Sequence, residues 1–172
     1  MKSKILPFSV IFIFGIIFFI FYKGLEETNL YTPDIITKND IPVFNTKDFF
    51  SNESIKSSSI FETDKIYLFN IWSSWCVPCL EEHPLLMSLN SENKINIVGM
   101  NYKDTFKNAE NFLNNLGNPY KKIFIDIDGT IAIEWGAYGV PESFLIYNNE
   151  IVKKYIGPLN QQQIEEIKKL IK

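Results

Sequence analysis

Residues 66–79, IYLFNIWSSWCVPC, contain the transition that decides the fold. The first seven residues are rich in β-formers and are bounded by polar residues, which predicts a buried strand. Beyond them, the leucines of residues 77–90 fall at helical spacing, and Pro78 suits a first helical turn, where its missing N–H is not needed. His83-Pro84 predicts a kink in this helix. A strand therefore passes into a helix at the two cysteines.

The rest of the chain continues this alternation. Further strands are predicted at residues 95–100, 123–125, 143–147 and 151–156, and further helices at residues 105–116 and after Asn160. Asn148-Asn149 between the last two strands is typical of a hairpin turn. Strand–helix units closed by an antiparallel hairpin predict an α/β fold, with a mixed central sheet and helices on both faces.

An apolar segment precedes this domain. Residues 5–22 are 18 consecutive uncharged positions, and a helix of that length measures about 27 Å, close to the hydrocarbon core of a bilayer. Lys2 and Lys4 lie on one side and Glu26 and Glu27 on the other, so the positive-inside rule places the amino terminus in the cytoplasm. We expect an uncleaved single-pass anchor in the bacterial inner membrane, because no small-residue cleavage site follows. A cytoplasmic terminus, a transmembrane anchor, a periplasmic linker and a folded domain are thus predicted at residues 1–4, 5–22, 23–42 and 43–172.

The charged residues argue against nucleic acid as a partner. All 17 basic residues are lysines, so the forked guanidinium contacts that favour phosphate and base recognition are absent. Residues 24–172 hold 14 lysines and 20 acids, a net charge of −6. A basic partner would be steered toward such a domain.

The two cysteines form a C-x-x-C pair at the junction of strand and helix, the placement typical of redox function. Cys76 lies at the helix N-terminus, where unpaired N–H groups and the dipole stabilise a thiolate, so we predict it to be the nucleophile. Cys79, one turn further along, is predicted to be the less exposed and to resolve mixed disulfides.

Other functions for these residues remain as alternatives. A structural disulfide is one, although a bridge of such short span removes little unfolded-state entropy. Zinc needs four ligands, or three and water, and the chain has two cysteines and one histidine. Residues 126–129 (DIDG) begin like a calcium loop, but Thr130 and the absence of a glutamate at the twelfth position favour a plain turn. No metal and no cofactor is predicted.

Three further residues are candidates near the thiols. Glu82, three residues after Cys79, is placed to take the resolving thiol's proton, the alternative being a solvated helix face. His83 is predicted to be a surface or capping residue rather than catalytic. Pro141 follows Gly139-Val140 at the start of a strand and is a candidate for a cis peptide bond or for an ordinary turn.

Four ordered segments resemble the cytochrome c biogenesis thiol:disulfide interchange proteins of the CcmG/DsbE type, within the anchored thioredoxin-like proteins. They are residues 70–83, 98–104, 116–120 and 136–146. The resemblance implies a thioredoxin fold in which a cis-Pro141 faces the thiol pair and the Val140 backbone pairs with an extended substrate segment. It also implies that Glu82 replaces the buried aspartate that ordinary thioredoxins carry at the position of Asn70.

The resemblance extends to substrate and partners. Trp75, Val77, Pro78 and Glu142 join Val140 and Pro141 as expected substrate-binding residues, with Glu82 and Glu142 acidifying the groove. The implied substrates are disulfides in apocytochrome c or in haem-ligation proteins, and a transmembrane thiol-reducing protein would supply the electrons. Val77-Pro78 departs from many relatives, so the family's reduction potential is not carried over.

Two other functions remain open from the sequence. Thiol exchange chemistry is shared by general exported reductases and oxidants, which serve many proteins. A non-catalytic assembly scaffold or metal chaperone is the other, but copper-delivering thioredoxin relatives use a wider cysteine spacing and a distant histidine, and neither occurs here.

Overall fold

The computed structural model describes residues 5–26 and 39–170 and divides the chain into two units, Met1–Asp34 and Ile35–Lys172. The first unit contains helix α1 (Ile5–Glu26). In the described part of the chain, no helix has both the length and the apolar character needed to cross a membrane. The anchor expected at residues 5–22 therefore stays a prediction. Residues 1–4 and most of the expected linker lie outside the described residues.

The second unit contains one sheet of eight strands in the order β1-β8-β7-β4-β5-β6-β2-β3. The strands are β1 (Asn39–Asp40), β2 (Asn45–Asp48), β3 (Ser54–Lys56), β4 (Tyr67–Trp72), β5 (Asn96–Tyr102), β6 (Lys122–Asp126), β7 (Glu142–Tyr147) and β8 (Glu150–Ile156). The helices are α2 (Val77–Ser91), α3 (Phe106–Leu116), α4 (Thr130–Glu134) and α5 (Gln161–Leu170). Strands β4, β5 and β6 are parallel and the other pairings are antiparallel, so the predicted mixed sheet is confirmed.

Strand β4 lies at the centre, and all six of its residues are buried. Leu68 and Trp72 pack in one apolar core, which includes residues of α2, α3 and α5. Phe69 and Ile71 pack in a second core with residues of α4, and the Phe69 ring stacks on Trp135 with 4.2 Å between centroids. Because side chains alternate along a strand, these cores lie on opposite faces of the sheet. Helices on both faces are confirmed.

Several elements differ from the sequence prediction. Strand β1 lies within the expected linker and pairs with β8, so the folded domain begins before residue 43. The β2–β3 hairpin and the short helix α4 were not predicted. Helix α2 is continuous through Pro84, and the kink expected there stays a prediction. The hairpin turn is confirmed, with positive φ at Asn148 and Asn149, as is the capping of α5, where Asn160 Oδ1 accepts from Gln163 N–H at 3.0 Å.

The parallel strands bring three chain segments to one edge of the sheet. Strands β4, β5 and β6 end at Trp72, Tyr102 and Asp126, at the same edge. The register pairs Ile71 with Glu142, so the start of β7 lies at this edge too. The cysteines that follow β4 are therefore next to the segment containing Pro141.

Candidate active site

The two cysteines form a disulfide at the start of α2. The S–S distance is 2.11 Å and the Cα atoms are 5.2 Å apart. Cys76 is the N-cap residue, and its sulfur accepts a hydrogen bond from Cys79 N–H at 3.1 Å. In this oxidised form Cys76 is 4% exposed and Cys79 is 2% exposed. The helix N-terminus and its donors are therefore directed at Cys76, which suits a thiolate nucleophile.

An exposed apolar rim surrounds this disulfide. Trp75 is 56% exposed and Val77 is 64% exposed, and Pro78 is also exposed. The Trp75 indole N–H donates to the Lys103 carbonyl at 3.0 Å, which fixes the ring beside the thiols. The buried sulfurs are thus flanked by a surface on which an apolar segment of another protein could pack.

Pro141 follows a cis peptide bond from Val140, as its position suggested. Pro141 is buried, whereas Val140 is partly exposed. Both precede β7 at the edge of the sheet that carries the cysteines. The pairing of a substrate segment with the Val140 backbone stays a prediction.

Glu82 is buried in α2, so the alternative of a solvated helix face is wrong. Its Oε1 accepts from Asn70 Nδ2 at 2.9 Å, and its Oε2 accepts from Leu159 N–H at 2.7 Å. Burial raises the pKa of Glu82 to about 7, although both hydrogen bonds oppose the shift. Residues three apart on a helix share a face, so Glu82 lies beside Cys79 with its pKa near neutrality.

Asn70 is held in a fixed orientation beneath Glu82. Its Oδ1 accepts from the Tyr120 hydroxyl at 2.9 Å, while Nδ2 donates to Ser143 Oγ at 2.9 Å as well as to Glu82. The Tyr120 ring stacks on Trp72 with 5.5 Å between centroids. One amide N–H of Asn70 is therefore directed at the Glu82 carboxylate and the other at Ser143.

Glu142 occupies a different place from the one expected. It is 1% exposed, and its Oε1 accepts from the N–H groups of Tyr138 and Gly139 at 2.6 and 3.1 Å. Its Oε2 lies 2.8 Å from Lys154 Nζ. The carboxylate thus holds the loop before Pro141 from inside the domain and does not line the groove, which corrects the expected side-chain contact with substrate.

Comparisons with known proteins agree with this geometry. Residues 37–171 match the Redoxin family. CycY, a thiol:disulfide interchange protein of Rhizobium leguminosarum bv. viciae, is 47% identical over 103 residues, which cover 59% of this chain and 55% of CycY. The thiol:disulfide interchange protein DsbE of Escherichia coli K12 is 32% identical over 173 residues, covering 96% of this chain and 92% of DsbE. This chain belongs to the DsbE-type thiol:disulfide interchange proteins.

Solved structures share the fold of this DsbE-type chain. A protein of Chlorobium tepidum assigned as a DsbE superposes with a TM-score of 0.66 at 22% identity, covering 80% of this chain and 96% of that one. StoA of Bacillus subtilis superposes with a TM-score of 0.57 at 27% identity, covering 73% and 96%. The predicted thioredoxin fold is confirmed.

Membership of the DsbE-type family bears on the functions considered for the cysteine pair. The chain is a protein-disulfide oxidoreductase, and that the Cys76–Cys79 bond is its redox-active disulfide rather than a structural one stays a prediction. At residues 126–129 the chain turns from β6 into α4, and Asp126 accepts from the N–H groups of Gly129, Ile131 and Ala132.

Of the two positions expected for His83, surface or capping, the structure supports capping. His83 is not a surface residue, since it is 2% exposed, and Nε2 lies 3.0 Å from the carbonyl oxygen of Gly117, the C-cap residue of α3. Its ring meets Phe112 edge-on at 5.0 Å. Burial lowers the pKa of His83 against the hydrogen bonds to Gly117 and Leu116. In this DsbE-type protein His83 joins α2 to the end of α3.

Sequence reasoning missed three residues around the DsbE-type site. Asp104, Tyr120 and Leu159 make the hydrogen bonds that hold the active-site turn, Asn70 and Glu82. Their partners lie 30 to 77 positions away in the sequence. For Asp104 one signal was present, because it lies shortly after the strand predicted at residues 95–100.

Proposed function

We propose that this chain is a membrane-anchored periplasmic reductase that opens disulfides in apocytochrome c, or in haem-ligation proteins, during cytochrome c maturation. The observation that carries the proposal is the buried Glu82, one turn beyond Cys79 and with a pKa of about 7. A negative charge beside the thiols disfavours the thiolate. A dithiol whose reduced form is stabilised is a strong oxidant. Because a negative charge destabilises the thiolate of the reduced form, it makes the pair more reducing.

The reaction follows from the positions of the three groups. The Cys76 thiolate attacks one sulfur of the substrate disulfide, forming a Cys76–substrate disulfide and releasing the other substrate sulfur as a thiolate, which takes up a proton. The Glu82 carboxylate then accepts the proton of Cys79, whose thiolate attacks the Cys76 sulfur. The substrate leaves with two thiols and the enzyme leaves with its disulfide.

The surroundings of the thiols support an extended protein segment as substrate. Trp75, Val77 and Pro78 provide an apolar rim, and the strand entry at Val140-Pro141 lies at the same edge of the sheet. An extended segment can pair its backbone with the chain at Val140, before β7 begins, and place a cysteine over the thiol pair. The oxidised pair must then be reduced again, and a transmembrane thiol-reducing protein is the proposed donor.

The anchor has a direct test. We expect the full chain to stay in the membrane pellet after alkaline carbonate extraction, because residues 5–22 are uncharged and match the hydrocarbon core in length. A variant without residues 5–22 is the control and should move to the supernatant. After reduction, a membrane-impermeant thiol reagent should label Cys76 in intact spheroplasts. Full release of the intact chain by carbonate would refute the anchor and leave the chemistry untouched.

The substrate is tested by trapping. In a Cys79→Ala variant the mixed disulfide on Cys76 cannot be resolved, so the bound partner stays covalently attached. We expect apocytochrome c or a haem-ligation protein on non-reducing gels, released by dithiothreitol and identified by mass spectrometry.

The double variant Cys76→Ala, Cys79→Ala is the matched control and should trap nothing. Capture of many unrelated exported proteins would indicate a general reductase rather than one dedicated to cytochrome c maturation. Normal cytochrome c maturation in cells that carry only the double variant would instead indicate a scaffold whose thiols are incidental.

A further inference from the structure

Asp104 collects an unusual number of hydrogen bonds at the edge of the sheet beside the thiols. Its Oδ2 accepts from Ser74 N–H at 2.6 Å, from Ser73 Oγ at 3.2 Å and from Asn101 Nδ2 at 3.1 Å. Its Oδ1 accepts from Ser74 Oγ at 2.9 Å and from Thr105 N–H at 2.8 Å. Five donors thus converge on one carboxylate, which joins the loop after β5 to the loop after β4.

The residues that Asp104 binds form the turn that presents Cys76. Cys76 N–H donates to the Ser73 carbonyl at 3.3 Å, which closes this turn, and Asp104 holds the two serines within it. The neighbouring Lys103 carbonyl accepts from the Trp75 indole. The loop after β5 therefore fixes both the backbone of the turn and the aromatic side chain beside the thiols.

Asp104 also brings charge to this turn. Burial alone would raise its pKa, but the hydrogen bonds from Ser74, Asn101 and Thr105 hold the pKa of Asp104 below its ordinary value. None of the ion pairs within residues 40–170 includes this carboxylate, and the Lys103 ammonium lies 5.2 Å from the centroid of the Tyr102 ring. The carboxylate is thus ionised and is offset by hydrogen bonds rather than by a cation.

The charge is close enough to act on the nucleophile. Cys76 is two residues beyond Ser74 and the turn folds it back, so the carboxylate lies within about 10 Å of the sulfur, a distance at which screening by salt is incomplete. The helix N-terminus stabilises a Cys76 thiolate, whereas Asp104 opposes it, as does Glu82 on α2 when that carboxyl is ionised. The positive end of the helix dipole and the negative carboxylates therefore have opposite effects on the pKa of Cys76.

We propose that Asp104 is a positioning residue of the exchange reaction, whose carboxylate fixes the turn that presents Cys76 and whose negative charge opposes the Cys76 thiolate and so keeps the thiol pair reducing. In this role Asp104 does not contact the substrate. It acts through its hydrogen bonds to Ser73 and Ser74 and through the electrostatic effect of its negative charge on Cys76. The inference rests on disulfide exchange itself and not on the identity of the proposed substrate.

The test is the Asp104→Asn variant of the full-length chain. We expect the pKa of the Cys76 thiol, followed by thiolate absorbance against pH, to fall by about half a unit to one unit, because a unit charge at this distance has about that effect. In glutathione buffers, the equilibrium constant between the oxidised and the reduced enzyme should shift about three- to tenfold toward the reduced enzyme.

Asp48→Asn is the matched control. Asp48 also accepts turn N–H bonds, from Phe50 and Ser51, but it lies in β2, three strands from β4, about 14 Å away at the usual strand spacing. The Asp48→Asn variant should leave the pKa of Cys76 and the glutathione equilibrium constant unchanged.

If the asparagine variant does not fold, Asp104→Ser is also neutral and answers the same question. A lower melting temperature with an unchanged thiol pKa and an unchanged glutathione equilibrium would overturn the proposal, as would a rise in the thiol pKa.

Discussion

Replacing Cys76 by serine is expected to abolish disulfide exchange. The rate of reduction of insulin disulfides should fall by about a thousandfold or more, because the hydroxyl is not a nucleophile at neutral pH and no other thiol can form the mixed disulfide. Cys79 cannot substitute for it, since it lies one turn inside α2 and only Cys76 occupies the N-cap position. The measurement is a turbidity assay with dithiothreitol as reductant.

Cys79→Ser is the matched control for this variant. Both variants lose the same disulfide, so they should be destabilised alike, and any difference between them reports the chemistry. The Cys79→Ser variant should still react once and stop as a mixed disulfide, visible by mass spectrometry. Equal attack on substrate by the two single variants would contradict the assignment of Cys76 as the nucleophile.

Replacing Glu82 by glutamine is expected to slow the resolving step by about a hundredfold, the lower range for loss of a general base. In the wild-type chain this step should accelerate as pH rises through about 7, where Glu82 releases its proton. The variant should lack that inflection. Single-turnover release of substrate from the mixed disulfide, recorded by stopped flow from pH 5 to 9, gives both quantities.

The same variant should change the pH dependence of stability. The pKa of Glu82 is raised from 4.5 to about 7 in the fold, so between these values the unfolded chain releases a proton that the folded chain retains. Stability therefore falls as pH rises through this window, by about 3 kcal/mol from this group. Urea unfolding of Glu82→Gln should show a flatter dependence.

Glu81→Gln is the control for both measurements, because Glu81 is adjacent on α2 and exposed. It should behave like the wild-type chain. A Glu82→Gln variant that resolves mixed disulfides at the wild-type rate across this pH range would exclude Glu82 as the base, whatever its effect on stability.

The features that could be predicted from sequence depend on residues close together in the chain. A strand of β-formers, two cysteines three residues apart and a helix with proline at its start are local signals, and they placed Cys76 at the N-cap of α2. Asn148-Asn149 and Asn160 likewise determine a turn and a cap through their own backbones. The thioredoxin fold follows from the order of these elements.

The features that could not be predicted depend on distant partners. Strands β1, β2 and β3 are two to four residues long and carry no pattern; they form because β8 and β6 offer edges. His83 was expected at the surface or as a cap and Glu142 in the substrate groove, but both are buried, with the Gly117 carbonyl and Lys154 as their partners inside the domain. Polar residues of this kind are buried only where the tertiary structure supplies partners.

The near-complete burial of the oxidised cysteines has a kinetic consequence. Attack on a disulfide needs a thiolate in line with the S–S bond, and at Cys76 only 4% of the residue is open to solvent. A small free thiol in the surroundings has no surface to hold it in that line, whereas a protein that docks on the Trp75 and Val77 side chains is aligned by its own contacts. Exchange of the pair with ambient small thiols is therefore expected to be slower than its exchange with a docked protein.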